Sequence, residues 1–163
     1  MAYINPAPGT ANQVVLTIEV ATNEGDLTQT TPLTVPALQD VTINASNDVF
    51  TWSQLDSTAK KQIATTSTNS ISMNCVVDDA SFFGTTLASV ITDTIAAQGL
   101  MGASRNKTLI NFSLKFVEAA ADRYIKGVGY ITGLAPTVSA DAPVWVTPIT
   151  ITVSGEYTVS ATA

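Results

Sequence analysis

Hydrophobic and polar residues alternate along most of the second half of the chain. Residues 108–117 read Thr-Leu-Ile-Asn-Phe-Ser-Leu-Lys-Phe-Val, and the same beat returns over 124–133 and 144–153. A period of two belongs to strands with one buried and one solvated face. The pattern therefore predicts a meander of three or four antiparallel strands between Thr108 and Tyr157, broken at 118–123 and at 141–143, with 155–159 as a candidate last strand. Upstream, residues 14–20 place Val14, Leu16, Ile18 and Val20 on one face, and Asn23-Glu-Gly-Asp26 supplies turn chemistry after them. Residues 41–45 and 49–52 flank Ser46-Asn-Asp48 as a short hairpin, and 68–78 form a further strand with Ile71, Met73, Cys75 and Val77 on one side.

Two stretches change to helical spacing. Ser53-Gln-Leu-Asp56 has the form of a helix-capping box, and Leu55, Ala59 and Ile63 after it share a stripe, which predicts about three turns ending near Thr65. Asp78 and Asp79 read as the cap of the main helix, at about 80–98, with Phe83, Leu87, Val90, Ile91 and Ile95 on its apolar stripe and Gly99 as its stop. Its Ser, Thr and Gly84 lower its intrinsic propensity, so packing on the sheet has to hold it. Residues 100–107 follow as a loop. Residues 1–13, with Pro6, Pro8 and Gly9, read as an extended arm ahead of a single domain at 14–163. Residues 27–40, with Pro32, Pro36 and many threonines, have no period and form a long polar loop of the kind that often binds. The expected class is mainly β, antiparallel, with one flanking helix.

Composition sharpens this. Only 12 % of the 163 residues are charged, against about 25 % in ordinary soluble domains. Thr and Ser supply the remaining polarity, and β-branched Thr suits a pleated, half-exposed surface. A surface so poor in charge associates readily, which favours a chain covered by copies of itself. The net charge is −6, from 13 acidic and 7 basic residues, and Lys60-Lys61 is the only adjacent basic pair. Holding nucleic acid requires clustered cations that displace counterions from phosphates; this chain repels DNA instead. The amino end shows no secretory signal pattern and no apolar run is long enough to span a bilayer. Synthesis and assembly in a cytoplasm, without membrane insertion, are the expectation.

Candidate chemistry is thin. There is no histidine and one cysteine, Cys75, which removes the commonest general base and any zinc site of familiar type. Cys75 falls on the apolar side of its strand and reads as a packed thiol. Ser57-Thr-Ala-Lys60 matches the S-x-x-K pattern of acyl-transfer enzymes, but the companion S-D-N and K-T-G motifs are missing. Gly127-Val-Gly129-Tyr-Ile-Thr-Gly133 fails as a dinucleotide fingerprint, because Thr132 holds the last glycine position and a strand follows; these glycines permit close approach of another backbone or a bend. Asp78 and Asp79 are better explained as a helix cap than as metal ligands, and Glu118 with Asp122 as a solvated turn. Neither a catalytic residue, a cofactor site nor a metal site is predicted.

The order of elements carries one resemblance. A strand with an acidic turn (Ser70-Ile-Ser-Met-Asn-Cys-Val-Val-Asp-Asp79), a helix, the strand 108–116 and the closing stretch from Tyr124 to Tyr157 follow a long polar loop. This arrangement, over about half the chain, resembles the major tail tube proteins of long-tailed bacteriophages and related gene-transfer particles. The resemblance implies a β-sandwich whose inner strands join those of neighbours into a barrel around a channel. It implies hexameric rings that stack into a virion tail tube, assembled in the host bacterial cytoplasm and passing DNA without binding it tightly. The partners it implies are further copies, the tape-measure protein, a tail terminator and distal tail or baseplate proteins. On that reading the arm (Tyr3, Ile4, Pro6, Pro8) and the loop at about 23–40 (Asp26, Leu27, Pro32, Leu33, Pro36) make contacts between rings, and carboxylates outnumber cations on the channel wall. The alternative is another self-assembling β-rich subunit, such as a capsid-decoration or pilus-like protein.

Overall fold

The computed structural model describes residues 14–35, 37–55, 58–87, 90, 92–118, 121–141 and 144–162. Among these residues are seven strands: β1 (Val14–Val20), β2 (Leu33–Val35), β3 (Leu38–Ser53), β4 (Lys60–Val76), β5 (Ile110–Phe116), β6 (Arg123–Leu134) and β7 (Val146–Ser160). Two helices, α1 (Asp79–Phe83) and α2 (Ile95–Arg105), lie between β4 and β5. The strands form one antiparallel sheet in the order β2-β1-β5-β6-β7-β4-β3.

That order dictates the shape. Strands β2 and β3 are the two outermost in the sheet, yet only Pro36 and Ala37 separate them in the chain. A flat seven-stranded sheet would set its margins about 29 Å apart, whereas three Cα steps reach about 11 Å at most. The sheet therefore curls until its margins meet, and β1 touches β3 across the gap. The two facing walls of the expected sandwich come from this one continuous sheet.

The inner face is built from alternate residues. Leu16 and Ile18 of β1, Ile71, Met73 and Cys75 of β4, Ile110, Phe112 and Leu114 of β5, and Ile149 and Ile151 of β7 are all buried in one cluster. Val35 of β2, Ile131 of β6, Phe82 of α1 and Ile95, Leu100 and Ala103 of α2 complete it. Burial pushes the Cys75 thiol up to about 11, so it stays protonated and packs as an apolar group. In β6, a side chain on Gly129 would run into the Thr152 carbonyl, so its glycine allows β6 and β7 to lie against each other.

Three expectations are corrected. The main helix at about 80–98 is two shorter ones. Asp78 stands at the N-cap of α1, its carboxylate accepting from the Ser81 amide at 3.0 Å, and Asp79 is the first helical residue. The helix stops at Gly84, and the described residues between it and Thr94 are not helical; Leu87 is 72 % exposed, not part of a buried stripe. Gly99 has non-helical backbone and stops a first helical turn at 95–98, as expected, but the chain resumes as helix beyond it, and the expected loop at 100–107 is helical as far as Arg105. The cause is a crossing of α1 and α2 so close that a β-carbon on Gly99 would collide with Phe82 and Gly84 backbone, and one on Gly84 with that of Ala97. Both take positive φ, 62° and 77°, in a region open essentially to glycine alone.

The second correction concerns residues 53–65. None of the described residues there is helical; β3 runs on to Ser53 and β4 starts at Lys60. The four-residue spacing of Leu55, Ala59 and Ile63 is fortuitous, since Leu55 and Ile63 are exposed and bury no stripe. Third, Ser46-Asn-Asp48 is no hairpin turn but lies within β3, where the pairing with β4 slips between Asn47 and Val49. The candidate strand at 155–159 is the end of β7.

Candidate functional site

The registers reveal where the molecule is incomplete. Strand β4 pairs with β7 only from Ser70↔Thr152 to Val76↔Val146. Beyond Ser70, residues 60–69 pair with β3 alone, and beyond Thr152, residues 153–160 of β7 pair with β6 alone. The sheet forks. One branch is a two-stranded ribbon of β3 and β4 that leaves the body at about Ala45↔Asn69 and extends to Ser53↔Lys60. At about 3.3 Å per residue it projects on the order of 25 Å. Among the described residues, both its edges, the flank of β7 after Thr152 and the outer edge of β3 lack strand partners.

A two-stranded ribbon is at best marginally stable in water, and this one carries apolar groups. Phe50 and Trp52, two apart on β3, share a face with their cross-strand partners Ile63 and Lys61. Their rings stack at 5.9 Å between centroids. Phe50 is 60 % and Ile63 56 % exposed, and Leu55 beyond the strands is wholly exposed. Such a group, on a projecting element with free edges, marks an association surface. Sequence reading missed it by assigning 53–65 to a helix. The signal was the β-branched run Ile63-Ala-Thr-Thr-Ser-Thr68, which favours a strand.

The predicted contact residues are scattered. Tyr3, Ile4, Pro6, Pro8 and Pro36 lie outside the described residues. The segment at 23–40 is only partly a loop, since Leu33 opens β2 and β3 begins at Leu38. Asp26 closes the turn by accepting from the Thr22 amide and hydroxyl, at 3.1 and 2.9 Å; these bonds hold its carboxyl below its usual range. Leu27 and Pro32 line an open cleft of about 500 Å³ with Lys115, Tyr124 and Lys126. Lys115 is tied to Asp122 at 2.8 Å, and the Asp122 carboxylate also accepts from the Glu118 backbone amide. Ser57 lies outside the described residues, which leaves the S-x-x-K match without a geometry. Among the described residues no three potential metal ligands gather.

The loop before β2 is fastened to its own sheet. Gln29 donates to the side chain of buried Asn111 at 3.1 Å, and Asn111 donates to the Thr28 carbonyl at 2.9 Å. Beside them the Glu19 carboxylate accepts from the amides and hydroxyls of Thr30 and Thr31. Burial pushes the Glu19 carboxyl up, but these hydrogen bonds outweigh it and hold the group below its ordinary 4.5. A depressed carboxyl stabilises the fold above the ordinary value and loses that contribution as pH falls through the folded value. Protection factors of the Thr30 and Thr31 amides in hydrogen exchange are therefore expected to be constant above pH 4.5 and to fall below it. In Glu19→Gln the step should vanish; an unchanged step would assign it elsewhere.

No protein-family profile matches the chain, and no curated protein does. Solved structures do. The tail of an empty gene transfer agent particle, determined with C6 symmetry, has a chain 14 % identical at a TM-score of 0.62, over 90 % of this chain and 96 % of that one. The SPP1 tail tube gives 11 % identity and a TM-score of 0.65, over 95 % and 80 %. A sheath/tube terminator of the extracellular contractile injection system PVC gives 11 % and 0.60, over 95 % and 98 %. At such identities what is shared is the fold.

Proposed function

We propose that this chain is a structural subunit of a phage-type tail tube. Copies join edge to edge into rings, six to a ring, and the rings stack into a hollow conduit through which DNA passes to the host. The forked sheet carries this reading: among the described residues it leaves long strand edges without neighbours, on a fold shared, over 90 % or more of the chain, with the tube proteins of phage-like particles. Ring closure supplies the missing strands and removes the edges that would otherwise aggregate. A second, head-to-tail contact that does not close generates a filament. The protein works by geometry, not catalysis, and resides in the virion tail.

The chain's acidity suits a conduit. A wall with more carboxylates than cations gives no counterion release and repels the phosphate backbone, so DNA slides without being held. The tape-measure protein inside, a terminator at one end and baseplate proteins at the other are the expected partners. The arm at 1–13 and the segment 23–40 add contacts between rings.

Electron microscopy of the purified protein tests the reading. Hollow tubes or stacked rings are expected; trimers, solid fibrils or a persistent 17.0 kDa monomer would refute it. The same imaging of a chain lacking residues 2–12 should show short tubes or rings alone, and tubes of normal length would remove the arm from the interface.

A further inference from the structure

Strand β4 has a chemically distinct surface at each end. At the Lys60 end stand the exposed Phe50, Leu55 and Ile63, the ring of Trp52, and the exposed cations Lys60 and Lys61. At the other end Val76 pairs with Val146, and the Val77 amide donates to the Trp145 carbonyl at 2.9 Å. There Val144 and Trp145 are each 45 % exposed, and Val138 is exposed beside them, because Thr137 bridges to Val146. The charges at this second end are acidic: Asp78, Asp79 and Asp141 are all exposed. The two surfaces lie roughly 50 Å apart along the 17-residue strand.

The sequence has one adjacent pair of cations, Lys60-Lys61, and one adjacent pair of carboxylates, Asp78-Asp79. They flank the same strand. It also has two tryptophans, Trp52 and Trp145, and the structure sets one at each pole. Each pole is an aromatic and aliphatic patch rimmed by charge, and among the described residues the rims have opposite sign. Two complementary patches at opposite ends of one strand are too far apart to meet within one copy; between copies they would meet head to tail, a contact that extends as a filament where it does not close into a ring.

We propose that the ribbon tip of one copy docks on the Val138–Val144–Trp145 surface of the next, with Lys60 and Lys61 facing Asp79 and Asp141. The occupant of each pole is thus a second copy of this chain, and this contact is the axial one that stacks rings. The proposal rests on the tube reading and names the surfaces that reading leaves open.

Charge reversal tests it, since all four charged residues are exposed and Asp79, unlike Asp78, caps nothing. Lys60→Glu with Lys61→Glu, and separately Asp79→Lys with Asp141→Lys, should each raise the concentration needed for tube formation about tenfold, because like charges then meet. Combining all four changes should return it to within about twofold of the parent. High salt should hinder the parent and help the two double variants. In a Trp52→Phe chain, where Trp145 is the sole tryptophan, assembly should shift its fluorescence to the blue as water leaves the indole; adding Lys60→Glu and Lys61→Glu should abolish the shift at the same concentration. If the parent forms tubes and either double variant does so at an unchanged concentration, or the fourfold variant assembles no better than the doubles, the pole-to-pole contact is wrong while the tube reading stands. A parent that never polymerises overturns both.

Discussion

A chain in which residues 46–68 are replaced by Asn-Gly is expected to fold, remain monomeric and form no tubes at any concentration. Ala45 and Asn69 face each other in the register of β3 and β4, and Asn-Gly suits a two-residue turn between directly paired strands. The body should tolerate the change. The residues that form the core lie outside the excised stretch, and the pairing of β4 with β7 begins beyond it at Ser70. What is lost is the ribbon with its open edges and its Phe50, Trp52, Leu55 and Ile63 surface. Sedimentation and electron microscopy read the result against thermal unfolding of the same variant. Tubes made by the shortened chain would show that the ribbon is not an assembly element, and loss of cooperative unfolding would show that the body needs it.

Gly99→Ala is expected to destabilise the fold by about 3 kcal/mol, lowering Tm by roughly 10 °C. Two costs add there. The backbone at φ 62° and ψ −177° is one that a β-carbon disfavours, and that carbon would overlap the Phe82 and Gly84 backbone, which has no side-chain freedom to give way. Gly155→Ala is the control that separates them. Its φ is also positive, at 77°, but nothing lies within 4 Å of an added β-carbon, so only the conformational cost of about 1 kcal/mol applies. Calorimetry of both variants checks the pair; equal losses would mean that the helix crossing is looser than its geometry implies.

These two sites also show where the sequence could and could not be read. Strand β1 is legible to the residue, because the alternation of Val14, Leu16, Ile18 and Val20 follows from having one face on the core, where Leu16 and Ile18 are fully buried. Strand β5 is legible for the same reason, and so is the apolar side of β4 from Ile71 to Cys75. The ribbon is not. Its residues are exposed on both faces, so no burial imposes a period of two, and an accidental spacing of four at Leu55, Ala59 and Ile63 imitates a helix. The helical region was legible at its start, where Asp78 takes the capping position, but not in its course. Gly84 and Gly99 are separated by 15 positions in the chain yet meet in space, and neither can be interpreted without the other. Gly99 reads as a terminator, whereas buried Leu100 and Ala103 beyond it draw the chain onward as helix. As for assembly, open edges depend on where pairing stops, a long-range property that local pattern does not contain.

The partnership of β1 with β5 bears on timing. Thr17 meets Ser113 across 96 positions of the chain, so during synthesis the first strand has only the three-residue β2 to pair with until most of the polypeptide has left the ribosome. Strands β3 and β4 are local and zip together long before. The adhesive part of each newborn molecule thus exists earlier than the scaffold that aims it, and a cell making many copies at once must keep half-finished chains apart or lose them to disorderly clumps.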